Sequence, residues 1–261
     1  TYKNVTRTHK AFSLQGNSVR DAKTNPEKTY PLVVLSHGYT GYRTIMFYLG
    51  EHLASHGYVV VGIDHTDSTT GEVDFKNAPF AGFPSTLVNR ARDQQFVLDY
   101  FSSAKSDLAK IADTDHASVI GYSMGGFGAV NTVGGCYNFN QQGLQAFGFP
   151  EPAAKALVPV FNICNAGQEQ VDSRWKAMVA YAPWGQEQNL HKLDAIQVPS
   201  LYVTGDHDDV SGYEQGVKKL FEQSPAKDSF MLVYENARHR VAPNPAPEIA
   251  YAADADLGHY Y

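Results

Sequence analysis

The stretch Gly121-Tyr122-Ser123-Met124-Gly125 constrains this chain more than any other. It follows Ser118-Val119-Ile120, whose β-branched residues favour a strand. It opens the small-residue segment Gly126-Phe127-Gly128-Ala129-Val130, which suits the start of a helix. In a strand–turn–helix context, Gly-x-Ser-x-Gly makes a turn so tight that the serine backbone is strained and its hydroxyl is left exposed. The glycines keep bulk away from the neighbouring strand and helix. An ordinary turn satisfies the same five residues in a chain with 22 glycines, so the remaining sequence has to decide.

That sequence alternates short apolar runs with helical patterns, as in βαβ units on a mainly parallel sheet. Strands are expected at Pro31-Leu32-Val33-Val34-Leu35, Tyr58-Val59-Val60-Val61-Gly62-Ile63, Met178-Val179-Ala180-Tyr181, Ser200-Leu201-Tyr202-Val203-Thr204 and Phe230-Met231-Leu232-Val233-Tyr234. Helices are expected over 44–56, stopped by Gly57, over 85–103 with Phe96, Val97, Tyr100 and Phe101 inward, and over 213–222. Two segments break the rhythm. Residues 68–84 form a loop rich in Gly, Pro and Phe, and 134–173 form a longer insertion with a short helix at 152–157. Insertions after the carboxyl ends of parallel strands surround the ligand crevice of an open sheet. With no repeat and no linker, residues 1–261 read as one domain.

A serine hydroxyl needs a base, and the base needs an orienting carboxylate. After Ser123 those partners fall at strand ends. His239 follows the last strand across Glu235-Asn236-Ala237-Arg238, where a loop returns an imidazole to the serine. His207 lies inside an acidic loop, and His259 lies near the chain's end beyond Asp254 and Asp256. The acid is expected in Gly205-Asp206-His207-Asp208-Asp209: Asp208 by its Gly-x-x-Asp spacing, Asp206 as the alternative, Asp209 as a capping or solvated residue. Neighbouring loop residues converge poorly on one ion, so no metal is expected there. Two backbone N–H groups must face the developing oxyanion. Met124, after the nucleophile, offers one; Tyr39, in Ser36-His37-Gly38-Tyr39-Thr40-Gly41, offers the other. His37 is expected to brace that loop.

Composition excludes several classes. The formal net charge is −6 with no basic run, which argues against nucleic acid, and no apolar segment approaches the roughly 20 residues of a bilayer span. Cys136 and Cys164 flank the polar insertion. Both a disulfide stapling it and two buried thiols suit that placement. The non-Met start, the two cysteines and the modest charge favour an extracellular or periplasmic location over the cytoplasm.

Leu35-Ser36-His37-Gly38-Tyr39-Thr40-Gly41-Tyr42-Arg43-Thr44, followed by Leu53-Ala54-Ser55-His56-Gly57-Tyr58, resembles α/β-hydrolases of the plasma-type platelet-activating-factor acetylhydrolase and dienelactone-hydrolase-like group. Bacterial cutinases and polyester (PET) hydrolases lie near them. The resemblance implies an α/β-hydrolase fold: a twisted, mainly parallel sheet of about eight strands flanked by helices, with 134–173 as a partial cap. It implies a Ser123–Asp208–His239 triad, an oxyanion hole at Tyr39 and Met124, and no cofactor. It implies substrate contacts from Tyr39, Tyr122 and Trp184, the last in Ala182-Pro183-Trp184. Serine replaces the cysteine of true dienelactone hydrolases, so their activity is not expected. The substrates expected are small to medium or aromatic esters, with polyesters also in range, and a covered cleft favours small, soluble esters over a solid polymer. An acetylhydrolase-like phospholipase or lipase is the enzymatic alternative, and a non-catalytic binding protein is the alternative of another class.

Overall fold

The computed structural model describes residues 1–162, 164, 171–188, 191–244 and 248. Its centre is a six-stranded parallel sheet in the order β10-β9-β7-β5-β3-β4. The strands are β3 (Tyr30–Ser36), β4 (Val59–Ile63), β5 (Ala112–Tyr122), β7 (Trp175–Tyr181), β9 (Ser200–Gly205) and β10 (Ser229–Tyr234). The middle strands read as unbroken apolar runs because helices cover both faces. Leu32, Val33, Val34 and Leu35 of β3 and Val119 and Ile120 of β5 are all buried.

Four further strands lie outside this sheet, which therefore has six strands rather than about eight among the described residues. β1 (Tyr2–Val5) and β2 (Ala11–Leu14) pair antiparallel only with each other, and β6 (Cys136–Tyr137) and β8 (His191–Lys192) do the same. The β1–β2 hairpin is held beside the chain after β3: Tyr2 stacks on Phe47, and Asn4 donates to Thr44 Oγ1.

The helices are α1 (Phe47–Ser55), α2 (Phe83–Ser103), α3 (Asp107–Ile111), α4 (Met124–Thr132), α5 (Gln141–Ala146), α6 (Glu151–Phe161) and α7 (Lys218–Gln223), the last preceded by a π-helical turn at Tyr213–Val217. One expectation for α2 fails. Phe96 and Tyr100 face solvent, 68% and 50% exposed, whereas Thr86, Leu87, Arg90, Gln94, Val97 and Leu98 are buried. Positions 87, 90, 94, 97 and 98 share one helical face, but two of them are polar, so hydrophobicity alone assigns the wrong phase. Phe96 and Tyr100 meet each other on the outside at the i, i+4 spacing.

The insertion at 134–173 builds β6, α5 and α6 and is closed by a Cys136–Cys164 disulfide. Asn140 caps α5 by accepting from Gly143 N–H. No helix among the described residues is long and apolar enough to cross a membrane. Parallel strands with helices on both faces and a sharp β5–α4 turn make this the α/β-hydrolase fold.

Candidate active site

Because the sheet is parallel, the loops leaving β5, β9 and β10 all open on one edge, and each carries one of the expected side chains. Ser123 occupies the one-residue turn between β5 and α4 with φ 54° and ψ −115°. Two close approaches enforce that turn. A Cβ on Gly121 would lie 2.1 Å from the Gly125 carbonyl oxygen, and one on Gly125 would lie 2.1 Å from the Ser36 carbonyl oxygen. Neither neighbour can give way, since both are backbone. Ser123 N–H donates to Tyr181 O, fixing the turn against β7.

The imidazole of His239 reaches this hydroxyl: Nε2 lies 2.9 Å from Ser123 Oγ. Its Nδ1 lies 3.0 Å from each Asp208 carboxylate oxygen. An ionised carboxylate only accepts, so Nδ1 carries the proton and Nε2 is free to accept from the serine hydroxyl. Asp208 and His239 are both buried. Asp208 Oδ1 also accepts from Val210 N–H and Ser211 N–H, which aims the other carboxylate edge and keeps it satisfied. The acid and histidine loops are packed back to back, His207 N–H donating to Ala237 O.

The other acid and histidine candidates sit elsewhere. Asp206 is not the partner of His239; its N–H donates to Tyr234 O. Asp209 is exposed, as one of its two expected roles requires, and forms an ion pair with Arg238. His207 is exposed, and His259 lies outside the described residues. Tyr122 packs its ring 5.2 Å, centroid to centroid, from that of His239 and, like Ser123, also lines the cleft.

Met124 is the first residue of α4, and its N–H is one of the donors that a helix start leaves without an intrahelical partner. Tyr39 lies on the loop after β3, where a Cβ on Gly38 would come 2.9 Å from Ser123 Cβ. The loop is therefore pressed against the Ser123 turn. His37 braces it, its Nδ1–H donating to Gly38 O at 2.6 Å and its Nε2 accepting from His65 N–H at 3.1 Å. Burial, then the nearby Arg90 charge, holds the His37 pKa well below the usual range.

Ser123, Met124, Tyr39 and His239 open onto a cleft of about 960 Å³. Its walls are aromatic. Phe83 stands between Tyr39 and Trp184, with centroids 5.4 and 5.2 Å away, and Phe147 of the insertion packs on both Phe83 and Trp184. Phe80, 71% exposed, stands at the mouth. Sequence reading did not single out Phe80, Phe83 or Phe147, or the hairpin residues Thr6 and Phe12 that also line the cleft. The clustering of Phe in the Gly- and Pro-rich loop 68–84 was the one available signal.

Residues 12–136 match the model of a family described as PET hydrolase-like. The chain has the α/β-hydrolase fold and is similar to cutinases and PET hydrolases. Cutinase est1 of Thermobifida alba is 28% identical over 218 residues, covering 83% of this chain and 55% of the relative. Cutinase 2 of Thermobifida cellulosilytica is 26% identical over 217 residues, covering 83% and 62%. A bis(hydroxyethyl) terephthalate hydrolase of Streptomyces coelicolor is 23% identical over 225 residues, covering 86% and 55%. The chain thus spans little more than half the length of these curated relatives.

Proposed function

We propose that this protein is a serine carboxylic ester hydrolase acting on esters of aromatic or other apolar acids. The observation that carries the reading is the 2.9 Å contact between His239 Nε2 and the Oγ of a serine held at φ 54°. Ser123 Oγ attacks the acyl carbon while its proton passes to His239 Nε2. Asp208 keeps the imidazole in the required tautomer and stabilises the imidazolium. The N–H groups of Tyr39 and Met124 take the negative charge that builds on the carbonyl oxygen, a donor of this kind contributing about 10²–10³ in kcat. As the tetrahedral intermediate collapses, the alcohol leaves with the proton from His239, and Ser123 holds the acyl group as an ester. Water, deprotonated by His239, then releases the acid and restores the serine.

The substrate class follows from the walls. Tyr39, Phe83, Phe147 and Trp184 offer flat apolar faces beside Ser123, and aromatic rings favour edge and offset contacts with such surfaces. Likeness to proteins named cutinase and bis(hydroxyethyl) terephthalate hydrolase supports ester substrates, small or polymeric. The disulfide supports an oxidising, extracellular or periplasmic location. Nothing in the proposed cycle calls for a metal or cofactor, and residues 1–261 act in it as one domain.

Hydrolysis of p-nitrophenyl acetate and of bis(hydroxyethyl) terephthalate tests the reading. Both are expected to be turned over by the protein and lost in Ser123→Ala. Trp184→Ala is expected to slow the terephthalate ester about tenfold more than the acetate, because only the larger acid spans the aromatic wall. Equal losses on both would refute the aromatic-wall assignment, and undiminished hydrolysis by Ser123→Ala would refute the reading as a whole.

A further inference from the structure

The loop after β3 leans on a buried polar cluster that the proposed cycle does not use. Arg90 on α2 is 1% exposed, yet it carries a guanidinium into the protein interior. Space for it comes from Gly128 on α4, where a Cβ would lie 2.7 Å from Arg90 Cβ. Its Nη2 donates to Ser68 Oγ at 2.9 Å and makes a long contact of 3.5 Å to Gly38 O. The same oxygen accepts from His37 Nδ1–H at 2.6 Å and from Gly41 N–H at 3.1 Å. One carbonyl thus collects three donors, one of them cationic. Placing a charge at that depth is costly unless something requires it.

The requirement lies on the other side of the same peptide. Gly38 C=O and Tyr39 N–H belong to one planar trans unit and point in opposite directions. Anchoring the carbonyl on His37 and Arg90 therefore turns the Tyr39 N–H the other way, out of the cluster. Donors on a carbonyl also polarise the amide and strengthen its N–H as a donor. The partner peptide is anchored in the same manner: Ser123 C=O accepts from Phe127 N–H at 2.9 Å and Trp184 N–H at 3.2 Å, which orients Met124 N–H. There the anchors are backbone groups; at Gly38 two of the three are side chains.

We propose that His37 and Arg90 are positioning residues of the oxyanion hole, acting through the Gly38–Tyr39 peptide plane. The inference rests on the ester-hydrolase reading above. His37 does so through a particular nitrogen, and two substitutions separate the nitrogens. In His37→Asn the side-chain amide occupies the place of Nδ1 and still donates to Gly38 O. In His37→Gln the side-chain oxygen occupies the place of Nε2, keeps the acceptor for His65 N–H and abandons Gly38 O.

The test compares kcat and KM for p-nitrophenyl acetate, with thermal unfolding recorded for each variant. His37→Gln is expected to lose about 10–100-fold in kcat with KM within about twofold, since misaligning one donor costs nearly what deleting it costs. His37→Asn is expected to stay within about threefold of the parent in both constants. Arg90→Lys, whose shorter side chain ends before the Nη2 position that contacts both Ser68 and Gly38, is expected to lose about fivefold in kcat alone, and it carries the test if His37→Gln gives no cooperative unfolding transition. The reverse order, Asn slower than Gln, would overturn the proposal, as would a parent-like kcat in folded Arg90→Lys. Ser123→Ala runs alongside. If it is inactive while His37→Gln keeps full turnover, only the positioning role fails. If it retains turnover, the ester-hydrolase reading fails and takes this inference with it.

Discussion

The molecule contains two rows of serine, histidine and aspartate, and their distances barely differ. In one, Ser123 Oγ lies 2.9 Å from His239 Nε2, whose Nδ1 lies 3.0 Å from Asp208. In the other, Ser36 Oγ lies 2.7 Å from His65 Nε2, whose Nδ1 lies 2.7 Å from Asp93 Oδ2. The second row is a structural tie. Ser36 belongs to the regular strand β3 and is wholly buried, and its Oγ accepts from Gln94 Nε2–H. Gln94 also donates to Gly125 O and accepts from Thr132 Oγ1, so the row ends in a satisfied network linking β3, α2 and α4. Ser123 instead sits on a strained turn, faces the cleft and lies at a helix start. Short hydrogen bonds are common to both rows. Access, strain and nearby N–H donors are what set Ser123 apart from Ser36.

Substitutions at the acids pull this contrast apart most strongly. Asp208→Asn is expected to cut kcat about 10³–10⁴-fold with the fold intact, because the wrong imidazole tautomer then faces the serine. Asp93→Asn is expected to cost less than about tenfold. Steady-state kinetics beside circular dichroism checks both, and comparable losses would erase the distinction. At the serines, Ser36→Ala is expected to retain turnover within a few-fold while losing about 1–3 kcal/mol of stability in denaturant unfolding. It strands Gln94 N–H and His65 Nε2, which are buried.

A smaller effect is expected from pH. Burial holds His65 and His37 well below the usual imidazole pKa of 6.5 and lowers His191 to about 4. Above pH 6.5 both folded and unfolded states leave these rings neutral. Below it the unfolded chain takes protons that the folded one refuses, so stability falls as pH drops from 6.5 toward 4. Each such ring contributes a slope of up to ~1.4 kcal/mol per pH unit. His65→Gln should flatten the acid side of the melting-temperature profile, and an unchanged slope would mean that His65 is not held neutral.

The site was more legible in the sequence than its supports were. Ser123, Asp208 and His239 each follow a recognisable strand, and a parallel sheet brings such strand ends to one edge whatever lies between. Hydrophobicity places Phe96 and Tyr100 on the wrong side of α2 because Arg90 and Gln94 occupy the buried stripe. Their partners, Gly38, Ser36 and Gly125, lie 31 to 58 residues away in the chain. No local pattern reports bonds of that range. The two small antiparallel pairs were hidden for a related reason: strands of four or two residues carry too little periodicity to show. Phe83 and Phe147, at a helix start and on a loop, become one wall only through packing.

Covalent labelling addresses the contrast between the two serines most directly. A fluorophosphonate probe reacts only with a serine that is both activated and reachable. Treated protein should lose esterase activity in step with the gain of one adduct, and peptide mass spectrometry should find that adduct on Ser123. An adduct on Ser36, or full loss of activity with Ser123 unmodified, would contradict the account.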